Sequence, residues 1–191
     1  RDTIPIARVP DVPPPSRETL DASIRKAADF LLKEQNRDGS WGNHTRTKGL
    51  NVLCPYPEGP RSFRTASTSL CVIGLLTSPL KEDPAVKASL DKALQYLLTT
   101  LPTLKRGDTR TVLGVWGHAY GLSALSRAAR NLPADAPLRE ELKKVASLQV
   151  KALDQMADVQ GGWGYYTFET FSKRPIGEPT SFLTATVLLA Y

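Results

Sequence analysis

The chain has 191 residues and a mass of 20.9 kDa, enough for one ordinary domain or a large part of one. Hydrophobic residues make up 41% and charged residues 23%, so it can build a core, and its net charge of +6 gathers into no dense basic stripe, which argues against a dedicated nucleic-acid binder. The longest uncharged stretches are too short and too rich in Ser, Thr and Gly to span a bilayer, and two cysteines cannot make a disulfide framework.

Arg1 in place of an initiator Met marks a processed or excised segment, so the compartment stays open, with the cytoplasm as the default expectation. Residues 1–15 carry Pro5, Pro10, Pro13, Pro14 and Pro15 and read as an extended arm or linker, because each proline fixes φ and removes a donor. From Ser16, the spacing of Leu20, Ile24, Ala27, Ala28 and Leu31 predicts an amphipathic helix with Asp21, Arg25, Lys26, Asp29, Lys33 and Glu34 on its other face. An uncharged helical stretch follows over 65–78. Asp83 and Pro84 open a second charged helix, whose apolar side holds Val86, Leu90, Ala93, Leu94 and Leu97; the next uncharged stretch covers 117–126. Asp135 and Pro137 open a third charged helix with Leu138, Leu142, Val145, Ala152 and Met156, and 180–191 is a rising apolar run with no stop signal. A helix without a charged face is expected to be buried on nearly all sides. The alternation predicts an all-α fold over 16–191, with three αα-hairpins at about 16–78, 83–131 and 135–191. Each hairpin has one outer and one buried helix. Strand signals are poor; Tyr165, Tyr166, Thr167 and Phe168 form a short extended piece in a loop.

All three tryptophans sit in one local setting: Gly39-Ser40-Trp41-Gly42, Gly114-Val115-Trp116-Gly117 and Gly161-Gly162-Trp163-Gly164. That is an internal repeat, with each tryptophan expected to be buried as a bolt between successive hairpins. The first copy has Lys26, Ala27, Phe30, Leu31, Gln35, Gly39 and Trp41 in order. It closely resembles the glutamine–tryptophan repeat of the squalene–hopene and oxidosqualene cyclases. The second copy keeps Lys92, Ala93, Tyr96 and Leu97 but has Leu101 where Gln belongs and an insertion before Gly114. The third keeps Gln160, Gly161 and Trp163. The wider family, which includes protein prenyltransferase β subunits and complement-like thioester domains, implies an αα-toroid of about six hairpins, of which this chain supplies half.

The resemblance also says where chemistry should be. Terpene cyclases of this class take their proton from an Asp-x-Asp-Asp motif just ahead of Thr-Ala, where clustered carboxylates adjust one another's pKa. Thr65-Ala66 and Thr184-Ala185 match the Thr-Ala element, but Phe63, Arg64, Phe182 and Leu183 stand where the acids belong. Gly164-Tyr165-Tyr166-Thr167-Phe168 is similar to a prenyltransferase element without its Cys and His partners. His44, Cys54, Cys71 and His118 fit no zinc spacing, so no metal and no cofactor are expected. The thioester element, a phosphate loop and a nucleophile elbow are absent. Arg106-Gly107-Asp108 reads as a solvated turn, and Asn43-His44-Thr45 as a chance match to a glycosylation acceptor.

His118 is singled out as the ionisable residue of the uncharged stretches and the candidate acid, base or ligand anchor. Thr65, Tyr120, Tyr165, Tyr166, Phe168 and Thr184 are expected to join it around a cavity that suits an apolar or isoprenoid ligand. The sequence thus points to a repeat domain that binds an apolar ligand or a protein partner without catalysis of its own. The alternative is the N-terminal half of a longer cyclase or prenyltransferase-like enzyme. Apolar edges left by half a ring predict self-association or cover by the rest of a longer chain.

Overall fold

The structure, a computed structural model, describes residues 13–43, 58–106, 114–167 and 172–191. Every described helix is α-helical or a short 3-10 turn, and the fold is all-α. Ser16 caps α1 (Arg17–Glu34) by accepting the Thr19 N–H. After α2 (Glu58–Thr77), Asp83 caps α3 (Pro84–Thr100) by accepting the Ala85 N–H at 2.9 Å, with Pro84 in the first turn. A 3-10 turn (Leu101–Thr103) precedes α4 (Gly114–Asn131); α5 (Pro137–Met156) and α6 (Ser181–Ala190) complete the order. Tyr165 to Thr167 lie in an irregular loop, with an isolated bridge residue at Tyr166.

Two of the uncharged stretches prove longer than their composition suggested. α2 begins at Glu58 and takes in Arg61 and Arg64, and α4 runs on through Arg127 and Arg130. Arg127 and Arg130 are exposed near the end of α4, whereas the charges of α2 are held in ion pairs, Arg64 with a side chain only 16% accessible. Glu58 pairs with Arg61 at 3.3 Å, and Arg64 pairs with Asp38 at 3.0 Å.

The helices form two rows. α2 packs on α4 and α4 on α6; α1 packs on α3 and α3 on α5. Between the rows, α2 packs on α3 and α4 on α5. Those two pairs are joined by the short turns 78–83 and 132–136, so the packed hairpins are α2–α3 and α4–α5. The packing unit is therefore out of phase by one helix with the sequence repeat.

This phase decides burial. α4 has neighbours on both sides and in both rows, and it buries Val115, Gly117, His118, Ala119, Leu122 and Leu125. α3, which its charges marked for the outer wall, also buries one long face: Val86, Leu90, Ala93, Leu94 and Leu97, with Leu98 and Tyr96 beside it. As the middle helix of its row it is flanked twice. α6, expected to be buried on nearly all sides, is not: Phe182, Leu188 and Leu189 are exposed, and Leu189 is 87% accessible. α1 buries only Ala28.

Candidate functional site

Three features of the even row could carry function: the tryptophan anchors, a buried histidine and an aromatic cluster. Trp41 donates its indole N–H to the Leu31 carbonyl at 2.7 Å, and its backbone N–H to Thr68 Oγ1 at 3.0 Å. Trp163 does the same with the Leu153 carbonyl at 2.8 Å and Thr184 Oγ1 at 3.0 Å. Each tryptophan thus staples the end of an odd helix to the following even helix. Both rings are buried.

The preceding turns also superpose. Asn36 N–H donates to the Ser40 carbonyl and Gly39 N–H to the Asn36 carbonyl; Asp158 with Gly162 and Gly161 with Asp158 repeat both bonds. Gly39 and Gly161 have φ of +86° and +89°, the left-handed region that favours glycine. This register corrects two equivalences drawn from the letters alone. Gln160 stands opposite Asp38, not opposite Gln35, and Thr184 is the counterpart of Thr68, not of Thr65. Gln35 works differently, donating its amide to the Gly39 and Ser89 carbonyls at 2.9 Å each, which ties the first turn to α3. Thr65 is buried, with its hydroxyl bonded to the Arg61 carbonyl.

Trp116 departs from the pattern. The insertion before Gly114 carries it into the first turn of α4, where it is half-buried. Its stapling role passes to leucines. A Cβ on Gly117 would meet Leu104 Cδ2 at 2.5 Å, and one on Gly121 would meet Leu101 Cδ2 at 2.5 Å, so the two glycines form a notch that Leu101 and Leu104 fill.

Freed from that role, Trp116 builds an aromatic cluster. It stacks on Tyr120 at 5.5 Å and 14°, and lies 6.2 Å from Tyr165 and 5.8 Å from Phe182. Tyr166 joins through Tyr165 at 6.3 Å and is exposed. Desolvation and the neighbouring tyrosines raise the Tyr165 hydroxyl above its usual pKa, against a hydrogen bond from Trp116. The cluster thus brings Tyr120, Tyr165 and Tyr166 together with Trp116 and Phe182, which the sequence assigned elsewhere. The i, i+4 spacing of Trp116 and Tyr120 was the signal available for it. Phe168 lies outside the described residues, as do His44, Cys54, Gly107 and Asp108.

His118 is not part of this cluster. It faces α5, where Nδ1 lies 2.7 Å from Gln149 Oε1, and both side chains are buried. Because the Gln149 amide donates to the Val145 carbonyl at 2.9 Å, its oxygen accepts, and the imidazole is held as the Nδ1–H tautomer. No partner among the described residues reaches Nε2. Burial holds the pKa below 6.5, against the bond to Gln149, so the ring is neutral near pH 7.

Cys71 is a free thiol on α2, half-buried, and burial pushes it up to about 11. No group of three His, Cys, Asp or Glu among the described residues could hold a metal ion, and no described helix is long and apolar enough to cross a membrane. No protein-family model and no solved structure matches this chain.

Proposed function

We propose that the chain is a repeat domain of the squalene-cyclase and prenyltransferase kind, an arc of an αα-toroid, that binds an apolar ligand along its even helices without catalysing a reaction. The aromatic cluster at Trp116 carries the reading. Five rings from α4, α6 and the intervening loop meet there, with Phe182 and Tyr166 accessible. The same row leaves a stripe at helical spacing uncovered on α2, Ser67, Leu70 and Gly74, and leaves Leu188 and Leu189 exposed on α6. Aliphatic, small and aromatic side chains of this kind suit a ligand that is itself mostly hydrocarbon. Acid chemistry supports the reading without cyclase catalysis. The carboxylate on the described even helices is Glu58, already tied to Arg61 and to the Lys105 N–H, and those helices carry no second acid to tune it.

The test is calorimetric titration of the chain with a C15 isoprenoid alcohol, beside an assay with squalene. Saturable binding that Trp116→Ala weakens about tenfold, the order expected when an aromatic anchor is truncated, supports the reading. Turnover of squalene, or affinity unchanged in Trp116→Ala, overturns it.

A further inference from the structure

We infer that the cleft between the two packed hairpins is a second ligand site, which takes a short-chain fatty acid with its carboxylate at Lys81. It lies between α3 and the C-terminal end of α4, inside the array rather than at either end of it, and shares no residue with the aromatic cluster. α3 and α4 belong to neighbouring hairpins and make no extensive contact with each other. Towards the start of α4 the space beside it is plugged, because Leu104 and Leu101 fill the notches at Gly117 and Gly121. The same face of α4 continues at helical spacing to Ala128, which borders the cleft instead.

The cleft has a volume of about 280 Å³. Leu90 and Leu94 of α3 and Ala128 of α4, all buried, make its floor, and the half-buried Leu76 and Leu132 flank them. Ligand clefts commonly run from about 300 to 1,000 Å³, so this one suits a short chain. Its rim is charged. Lys87 and Glu82 neutralise each other at 2.6 Å. Lys81, in the turn between α2 and α3, has no carboxylate partner among the described residues; its ammonium donates to Asn131 Oδ1 at a long 3.4 Å, across from one hairpin to the other. The remaining acid, Asp91, stands one turn beyond Lys87 on α3, which leaves the turn end of the cleft to the cation. A carboxylate placed there gives Lys81 a charge-assisted bond in place of a long one to a neutral amide, while the leucines take the hydrocarbon. An alcohol of equal length keeps the second gain and forgoes the first; an amine of equal length sets its charge against the lysine.

The test is calorimetric titration with sodium octanoate, beside 1-octanol, octylamine and sodium butanoate. Octanoate should bind one to one, and each of the other three should bind weaker by about tenfold or more. Lys81 is exposed, so Lys81→Met should keep the circular dichroism of the wild type, and it should bring octanoate down to the affinity of octanol. In methyl NMR spectra octanoate should shift Leu90 and Leu94. No saturable octanoate binding overturns the inference, as does equal affinity for octanol or octylamine, or affinity unchanged in Lys81→Met. Shifts confined to the rings around Trp116 overturn it too, because they put the fatty acid in the other site. The isoprenoid titration reads the Trp116 cluster, so either proposal can fail without the other.

Discussion

Thr68 and Thr184 do the same work in separate parts of the chain. Each accepts a tryptophan backbone N–H, and both tryptophans are buried. Replacing the hydroxyl by a methyl of similar shape leaves that donor dry and unpaired. Thr68→Val and Thr184→Val should therefore each lower stability by about 1–3 kcal/mol, measured as a shift in urea midpoint at constant slope. His118 acts through protonation. Burial depresses its folded pKa below the ordinary 6.5, so as pH falls through 6.5 the unfolded chain takes up a proton that the folded chain refuses. Its contribution is complete above that pH and is lost as pH falls further. Unfolding free energy measured between pH 7 and about 5 should decline with pH in the wild type and more shallowly in His118→Gln.

Among the elements, α4 is the one whose packing leaves least slack. Gly121 faces Leu101, which is itself almost wholly buried, so an added methyl 2.5 Å from Leu101 Cδ2 cannot push the leucine into solvent. Gly121→Ala should cost about 1–3 kcal/mol despite alanine's better helix propensity, whereas Ser123→Ala, two residues on and half-buried, should stay within about 0.5 kcal/mol. Thermal unfolding of the pair decides it. The helices themselves were legible from caps and periodicity: Ser16, Asp83 with Pro84, and Pro137 all open helices as the sequence indicates. Repeat register was not. Trp116 shares its neighbours' letters, but what fixes a staple is the distance from the tryptophan back to the preceding helix, and the insertion before Gly114 changes that distance. His118 was found as a residue but not as a contact, because its partner Gln149 lies on another helix and carries no motif.

For the whole molecule, net hydrophobicity proved a poor guide to depth. α6 has no charge and leaves half its residues exposed; α3 is charged and buries more than half of its own. Depth follows the number of flanking helices, a property of order in the array that no single segment encodes. The placement of the three tryptophans also has an optical meaning. Trp41 and Trp163 sit dry with their indole N–H groups bonded to helix carbonyls, while Trp116 lies half-open against Tyr120. One emission spectrum therefore contains two populations: a blue-shifted pair shielded from aqueous quenchers, and a single red-shifted component that iodide can reach. The first pair reports whether the odd helices remain clasped to the even ones, and the lone third reports what approaches the aromatic cluster. The molecule carries a separate lamp for its scaffold and for its face.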